Sequence, residues 1–161
     1  PPRVVLPVVR AAQLSVQMFK DDGWRQQALE DMKNASKVVM ASFQYDDPDF
    51  QKSLLRLLGK DGFELDLTVD REAFESLIAT RQKPKLEQLK AAGGHIFLGR
   101  GDGPYGRLHM KVLIIDSRIV YHGSANFTFK SRTNKELMQR LQGPPVRTVI
   151  EAAQEVRRKP L

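Results

Sequence analysis

Residues 107–126 read RLHMKVLIIDSRIVYHGSAN, and this stretch decides how the chain folds and where its chemistry lies. The segment from Leu108 to Ile115 is apolar except at two positions, and Arg118 to His122 contains a second short apolar run. Residues 116–117 are Asp and Ser, which are typical of turns between adjacent strands. We therefore predict two neighbouring β-strands, the first of them buried on both faces of a sheet.

Upstream of this stretch, the hydrophobic period alternates between that of strands and that of helices. Asp49 is placed to cap the helix that carries Phe50 and Leu58, and Gly93 closes a later helix that Pro84 begins. The predicted strands cover Leu14 to Met18, Val38 to Phe43, Phe63 to Val69 and His95 to Leu98, and the predicted helices cover Trp24 to Met32, Phe50 to Leu58, Glu72 to about Thr80, and Pro84 to Gly93.

Downstream of this stretch, one more strand and one more helix complete the pattern. Asn134 to Leu141 is a candidate strand, and an apolar stripe from Val146 to Val156 predicts a C-terminal helix that the basic residues 157–159 finish. Alternating strands and helices that end in adjacent strands predict an α/β fold, with a mixed β-sheet flanked by helices on both faces. Because no repeat or linker divides the chain, we expect residues 1–161 to form one domain.

The composition is that of a basic chain without cysteine. The 161 residues include 26 lysines and arginines against 19 acidic residues, a formal net charge of +7. Residues 101–140 hold seven of the basic residues and three of the acidic ones. This excess suits an anionic partner, either a nucleic acid or an acidic lipid surface, and a solvated surface is the alternative. The absence of cysteine excludes a thiol nucleophile, and the apolar stretches are too short to span a membrane.

Polar residues two positions apart interrupt the apolar C-terminal half in three places. This spacing puts both side chains of a pair on one face of a strand. A lysine on a central strand is costly to bury unless an anion or a partner charge compensates it, so the pattern predicts an anionic ligand near the end of the strand. The three pairs are His109 and Lys111, Ser124 and Asn126, and Asn134 and Glu136.

These residues resemble the HKD motif of the phospholipase D superfamily, written HxKxxxxDxxxxxxGSxN. Every fixed letter is present, as His109, Lys111, Asp116, Gly123, Ser124 and Asn126. The downstream pair that ends at Glu136 is also similar to the segment that follows the motif in this family. The match covers about residues 107–136, and the α/β pattern upstream is compatible with the family fold.

The resemblance implies hydrolysis of a phosphodiester in two displacements through a phosphohistidine, with no metal and no other cofactor. It assigns His109 as the nucleophile, and Glu136 as the group that accepts a hydrogen bond from the ring and fixes its tautomer. Lys111, Ser124 and Asn126 are expected to hold the non-bridging phosphate oxygens. These five residues, together with Asp116, form the predicted catalytic set.

The chain carries one such motif, whereas the full-length phospholipases of the superfamily carry two. Short members build one active site from two copies, so the resemblance implies a symmetric homodimer with His109 of each subunit beside one phosphate. The second His109 then supplies the proton that the leaving oxygen needs. Asp116 faces the other side of its strand, so we expect it to have an orienting or structural part in the catalytic set.

We expect the substrate to be nucleic acid, because the basic excess surrounds the motif and suits a groove for a polyanion. Hydrolysis of an anionic lipid, as by a phospholipase D or cardiolipin hydrolase, is the alternative. A nucleic-acid or lipid binding module without turnover, or a domain that works only within a larger assembly, is a further one. The expected substrate-binding residues are Arg100, Tyr105, Arg107, Lys130 and Arg132, and Arg118 and Lys135 add to the basic surroundings.

Asp46, Asp47 and Asp49 form an acidic cluster that invites comparison with a cation site. The cluster lacks the glycine and the terminal glutamate of a calcium loop, and Pro48 interrupts it. Helix capping is the better interpretation of these residues. The sequence therefore predicts no metal site.

Overall fold

The computed structural model describes residues 15–76, 80–143 and 146–161. These residues form eight strands, five α-helices and a short 3₁₀ helix at Lys130–Thr133. The strands are β1 (Ser15–Lys20), β2 (Lys37–Ser42), β3 (Glu64–Asp70), β4 (His95–Arg100), β5 (Lys111–Ile115), β6 (Ile119–Gly123), β7 (Leu137–Gln142) and β8 (Arg157–Pro160). The helices are α1 (Trp24–Met32), α2 (Pro48–Leu58), α3 (Arg71–Glu75), α4 (Gln82–Ala91) and α5 (Val146–Gln154).

All eight strands belong to one mixed sheet, in the order β1, β7, β6, β5, β2, β3, β4, β8. The strands β2, β3 and β4 run parallel to one another, and the other neighbours are antiparallel. The centre is the apolar strand β5, whose five residues are all buried between β2 and β6. The prediction of a mixed α/β sheet is confirmed.

Helices cover both faces of this sheet, as the sequence predicts. On one face, Trp24 of α1, Phe50 of α2 and Leu86 of α4 belong to the larger hydrophobic core, where the Trp24 and Phe50 rings stack with centroids 5.6 Å apart. On the other face, Val146 and Ala153 of α5 pack in a second, smaller core. Among the described residues, no helix is long and apolar enough to cross a membrane.

The start of α2 corrects the predicted helix cap. The cap is Asp47 and not Asp49, because the Asp47 carboxylate accepts the backbone N–H groups of Asp49 and Phe50, at 2.9 and 3.2 Å. Pro48 occupies the first helical position, where its fixed φ suits a helix and its missing N–H costs no hydrogen bond. Asp47 of the acidic cluster thus serves helix capping, as expected.

The end of the chain corrects the predicted C-terminal helix. Helix α5 ends at Gln154, and residues 157–160 form strand β8, which pairs with β4. The physical reason lies in Arg158, whose guanidinium bonds Asp66 at 2.7 Å and stacks on the Phe97 ring at 3.9 Å. These contacts favour an extended edge strand over a further helical turn.

Several other boundaries also differ from the predictions. Strand β5 begins at Lys111 and not at Leu108, and β7 begins at Leu137 and not at Asn134. The predicted strand at the N-terminal end exists as β1, but Val16 and Met18 are about half exposed, and Phe19 on the opposite face contacts the larger core. Helix α3 ends at Glu75, short of the predicted end near Thr80, which lies in a turn, while Leu14 and residues 77–79 lie outside the described residues.

Candidate active site

The predicted catalytic residues other than Asp116 gather at one end of the central strands, where four strands begin or end. Lys111 is the first residue of β5, and its cross-strand partner Ser42 is the last residue of β2. Asp70 ends the parallel neighbour β3, and Gly123 ends β6. We call this end of the central strands the active edge.

Gly123 shows why the motif needs glycine at this edge. A Cβ atom at this position would lie 2.2 Å from the backbone oxygen of Leu137 and 2.8 Å from the sulfur of Met138. No side chain fits at that distance. The glycine therefore lets β6 and β7 approach closely enough to bring Ser124 beside Glu136.

The side chains of His109 and Lys111 are in direct contact. The Lys111 Nζ atom lies 3.0 Å from His109 Nδ1 and donates to the His109 carbonyl oxygen at 2.8 Å. Phe43 forms a wall beside both groups, with its ring centroid 5.4 Å from that of His109 and 5.8 Å from Lys111 Nζ. His109 itself is exposed. An imidazole thus faces solvent with a buried amine behind it.

Burial changes the acid–base behaviour of Lys111. The residue is 6% exposed, and desolvation lowers the pKa of its amine, while the negative charge of Glu136 acts to raise that pKa. The two residues are thus electrostatically coupled across the site. A bound phosphate, being anionic, would favour the charged amine in the same way as Glu136.

Glu136 does not make the hydrogen bond that the resemblance implies. Its carboxylate instead accepts bonds from the Ser124 hydroxyl and from Asn134 Nδ2, the latter at 3.1 Å, and it makes no hydrogen bond to His109. The reason is geometric, since Lys111 occupies the Nδ1 side of the ring. In the structure, therefore, Glu136 is hydrogen-bonded to Ser124, and His109 contacts Lys111.

Asp21, which sequence reasoning missed, holds Glu136 in place. The Asp21 carboxylate accepts the backbone N–H of Glu136 at 3.2 Å, and the Asp21 N–H donates to the Glu136 oxygen at 2.7 Å. The first of these bonds, helped by Lys135, lowers the pKa of the Asp21 carboxyl. The sequence signal is an Asp–Asp pair directly after a strand, which reads as an ordinary turn.

Ser42, also missed, connects Asn126 to the site. Its hydroxyl lies 3.4 Å from Asn126 Oδ1, donates to the Gln44 carbonyl at 2.6 Å, and accepts the Phe127 N–H at 3.5 Å. Because Ser42 is the cross-strand partner of Lys111, it brings Asn126 to the same edge. The sequence signal for Ser42 is that it is the first polar residue after the apolar run of β2.

Asp70 and Arg107 form a support beneath His109. Asp70, 1% exposed, accepts bonds from the Arg107 guanidinium at 2.8 Å and from the Leu108 N–H at 2.8 Å. Arg107 also pairs with Glu72 at 2.7 Å, and its Cζ lies 5.2 Å from the Phe43 ring centroid. The structure therefore uses Arg107, an expected substrate-binding residue, to fix the backbone that leads into His109.

The other expected substrate-binding residues differ in their exposure and in whether they form ion pairs with the protein. Arg100 lines a cleft of about 320 Å³ together with His109, and it makes no ion pair with the described residues. Tyr105 is 91% exposed in the loop before His109. Lys130 is exposed and lines a second cleft, whereas Arg132 is engaged by Asp47 and Asp49, at 3.2 and 2.6 Å.

Asp116 lies away from the active edge, at the opposite end of β5. Its Oδ1 accepts the backbone N–H groups of Ser36 and Lys37, at 2.8 and 2.9 Å. Arg118, part of the same turn, is also far from the groove that it was expected to serve. The structure thus separates Asp116 from the rest of the catalytic set and gives it the structural part.

Asp46 and Asp47 of the acidic cluster are engaged by other parts of the protein. Asp47 bonds Arg25 as well as its helix, and Asp46 accepts the Phe129 N–H at 2.7 Å. Within residues 15–76, 80–143 and 146–161, no three His, Asp or Glu side chains converge as metal ligands.

Comparison with known proteins identifies the family to which the chain belongs. A family model described as "Cardiolipin synthase, PLD-like domain" matches residues 28–159. The sequence has no significant match among curated proteins.

Solved structures with the same fold include Nuc, a phospholipase D family member from Salmonella typhimurium, with a TM-score of 0.74 and 22% identity over 91% of this chain and 99% of that one. NucT from Helicobacter pylori aligns with a TM-score of 0.71 and 19% identity over 88% and 92% of the two chains. Phosphatidylserine synthase from Haemophilus influenzae gives 0.73 and 16% identity, over 92% of this chain and 40% of that one. With its family model, fold and motif in agreement, the chain belongs to the PLD-like domain family of the phospholipase D superfamily.

Proposed function

We propose that this protein hydrolyses the phosphodiester bonds of nucleic acid, with His109 as nucleophile. The observation that carries the proposal is the exposed His109 imidazole, 3.0 Å from the buried amine of Lys111, in a cleft that Arg100 also lines. Attack on phosphorus needs an unhindered ring nitrogen and a positive charge beside the phosphate oxygens. The exposed imidazole of His109 and the neighbouring amine of Lys111 support both requirements.

The reaction has two balanced steps. In the first, a nitrogen of His109 attacks phosphorus, the bond from phosphorus to the leaving oxygen breaks, and that oxygen takes up a proton. In the second, water loses a proton and attacks the phosphohistidine, the P–N bond breaks, and His109 is regenerated. Lys111, Ser124 and Asn126 stabilise the charge on the non-bridging oxygens in both steps.

The contact between Lys111 and His109 must change when substrate binds. If the ammonium donates to Nδ1, the ring proton lies on Nε2, which is the nitrogen that faces away from Lys111. Attack by Nε2 requires the opposite tautomer, with the proton on Nδ1. We infer that Lys111 turns from Nδ1 to the phosphate oxygens in the substrate complex, which frees Nδ1 to carry the proton.

A second copy of the chain supplies the proton donor in this proposal. The chain has three histidines; His95 lies at the opposite end of β4, and His122 lies within β6 and makes no hydrogen bond to His109. A symmetric homodimer places the partner's His109 on the far side of the phosphate. Sedimentation or light scattering tests this point, because a stable and fully active monomer contradicts it.

Substrate identity is tested by one panel of assays. Single-stranded RNA and DNA stand on one side, and vesicles of cardiolipin or phosphatidylcholine on the other, with His109→Ala as the control. We expect cleavage of nucleic acid that weakens steeply with salt, given the net charge of +7. Cleavage of lipid alone overturns the nuclease proposal, and binding without turnover by the unaltered protein overturns the enzymatic one.

The proposed mechanism uses no metal ion. We expect hydrolysis to continue in excess EDTA, because the Lys111 ammonium offsets the phosphate charge and the amide and hydroxyl donors bind its oxygens. The measurement compares initial rates before and after chelation. Loss of activity that a divalent metal restores contradicts the phosphohistidine mechanism.

A further inference from the structure

A second cleft, of about 300 Å³, is lined in part by residues that follow Ser42 and Asn126 in the chain, and it has no part in the mechanism above. One wall is residues 44–46, which follow Ser42, and the other contains Thr128 and Lys130, which follow Asn126. The bridge between Tyr45 and Phe127 joins the two walls. Both walls are therefore direct continuations of the segments that hold the proposed phosphate site.

The inner wall of this cleft contains an unused hydrogen-bond donor. Gln82 is 3% exposed and accepts the Tyr45 N–H through Oε1 at 2.8 Å. Its Nε2 is buried and has no hydrogen-bond partner in the part of the chain that the structure describes. Because buried amide donors are almost always satisfied, this one indicates an acceptor supplied by a ligand.

Cations line the same cleft. Arg81 and Lys130 both contribute to its surface, and neither makes an ion pair with the described residues. The one carboxylate in the lining, Asp46, already accepts the Phe129 N–H. The cleft therefore has two cations against one carboxylate, an excess of positive charge that suits an anionic ligand.

An exposed aromatic ring extends the surface outward. Phe129 is 53% exposed and lines an adjoining hollow of about 190 Å³, together with Arg81 and Lys85. The Arg132 guanidinium lies 5.3 Å from the Phe129 ring centroid and is itself fixed by Asp47. A ring held on one side and open on the other is suited to stacking with a planar group.

We propose that Arg81, Gln82, Lys85, Phe129 and Lys130 form a flanking-nucleotide surface for single-stranded nucleic acid. A base next to the scissile phosphate stacks on Phe129, the cations contact the neighbouring phosphates, and the Gln82 amide donates to an acceptor of the nucleotide in the cleft. Aromatic rings among cations are typical of proteins that bind single strands, since every base has a face to stack. This inference rests on the proposed function and names its substrate as single-stranded.

The test compares two substrates in one set of variants. One is a single-stranded oligonucleotide of ten residues, and the other is bis(p-nitrophenyl) phosphate, a diester without flanking nucleotides. In Phe129→Leu we expect the ratio of kcat/KM for the oligonucleotide to that for the small diester to fall about tenfold, from loss of one stacked base. Phe129→Trp should restore the ratio, because it keeps an aromatic face.

The cations and the amide are tested by binding. With His109→Ala present to prevent cleavage, fluorescence anisotropy of a labelled single strand gives Kd at several salt concentrations. Lys130→Met should reduce the slope of log Kd against log salt by about one, whereas Lys52→Met, on the exposed face of α2, should not change it. Gln82→Leu should weaken binding severalfold with the salt slope preserved, and its melting temperature shows whether the fold is kept.

The outcomes separate this inference from the proposed function. If oligonucleotides are cleaved but the ratio in Phe129→Leu equals that of the unaltered protein, the flanking-nucleotide surface is wrong and the nuclease proposal stands. If neither oligonucleotide nor small diester is cleaved, the proposed function itself fails. If Phe129→Leu weakens binding to anionic vesicles and leaves oligonucleotide binding intact, the surface serves a membrane and the inference is overturned.

Discussion

The two ends of strand β5 carry polar residues of the same motif but use them differently. At one end, Lys111 is buried behind an exposed imidazole that opens into a cleft. At the other end, Asp116 adopts a positive φ of 51° in a tight turn, and its carboxylate bonds two backbone N–H groups of the segment that enters β2. At about 3.3 Å per residue, the two residues lie roughly 16 Å apart.

This difference distinguishes the residues of the motif that are proposed to contact a substrate from the residue that stabilises the fold. The Asp116 oxygens are satisfied by the protein itself, so this end closes the fold and needs no ligand. The Lys111 amine faces groups that a substrate can replace, and its charge is only partly compensated by Glu136. The residues that act on a substrate are those whose charge or hydrogen bonds the protein leaves incompletely satisfied.

The sharpest test of the Lys111 end is removal of the nucleophile. We expect His109→Ala to reduce kcat by roughly 10⁴-fold or more, as the loss of a nucleophile does in other covalent enzymes. Cleavage of a single-stranded oligonucleotide on denaturing gels measures the effect. His95→Ala is the matched control, because His95 is exposed at the other end of β4. Substantial activity in His109→Ala would show that the reaction does not take place at the Lys111 end of β5.

Next in size is the loss of the charge on Lys111. Lys111→Met should reduce kcat by about 10²- to 10³-fold, because the developing charge on the phosphate loses its nearest ammonium. The same phosphodiesterase assay measures it. Since the variant also removes a buried amine, its melting temperature should not fall, and a protein that unfolds would not test the prediction. Lys111→Arg provides a second variant that keeps the charge.

The pH profile reports on the same amine. Burial lowers the pKa of Lys111, so the ammonium loses its proton at a lower pH than an ordinary lysine does. Activity should therefore decline on the alkaline side below the usual range of lysine, and Lys111→Arg should abolish that decline, because arginine stays charged. Glu136→Gln should move the decline to still lower pH, since the Glu136 charge acts to raise the Lys111 pKa. A profile that is identical in all three proteins argues against Lys111 as the titrating group.

The motif predicts which residues act, but not all the contacts between them. The spacing of His109, Lys111 and Asn126 is local, and it places them near the ends of β5 and β6. The tautomer role of Glu136 depends instead on where Lys111 points, which is a matter of packing between strands. Sequence therefore assigned Glu136 to the ring, whereas the structure assigns it to Ser124.

The supports of the site were harder to predict, because their partners lie far away in the chain. Asp70 and Arg107 are 37 residues apart and meet only when β3 and the loop before β5 pack together. Strand β8 was missed for the same reason, since the contact of Arg158 with Asp66 spans 92 residues. In contrast, the hydrophobic patterns of β2, β3 and α2 are local signals, and those elements were predicted to within a few residues.

A smaller effect is expected where the protein only positions His109. Asp70→Asn weakens the bonds to Arg107 and to the Leu108 N–H, so the backbone before His109 becomes less fixed. We expect kcat to fall about tenfold with KM nearly unchanged, because small displacements of reacting groups are costly. Arg107→Lys should show a similar decrease, since lysine cannot reproduce the paired guanidinium bonds. A change in KM alone would instead assign Arg107 to substrate binding.

A still smaller effect is expected from substitution of Arg100, which lines the cleft beside His109 and makes no ion pair with the described residues. Arg100→Met should weaken oligonucleotide binding a few fold and reduce the salt slope of log Kd by about one, as the loss of one phosphate contact does. Arg118→Met is the matched control, because Arg118 is an exposed arginine at the Asp116 end of β5. Equal effects of the two substitutions would show that charge acts through the whole protein and not at the active edge.

The smallest effect on catalysis is expected for substitutions at Asp116. A loss of activity there would contradict the comparison of the two ends most directly. Asp116→Ala removes the acceptor of the Ser36 and Lys37 N–H groups and places alanine at a positive φ, so the free energy of unfolding should fall by about 1–3 kcal/mol. Asp116→Asn keeps an acceptor oxygen and a residue that tolerates this conformation, so its loss of stability should be smaller. Urea denaturation measures both, and kcat/KM of the folded protein should stay within about twofold, because distant sites contribute to stability independently of one another. If Asp116→Asn keeps its stability but loses activity, the turn communicates with the cleft, and the division of the motif between its two ends is wrong.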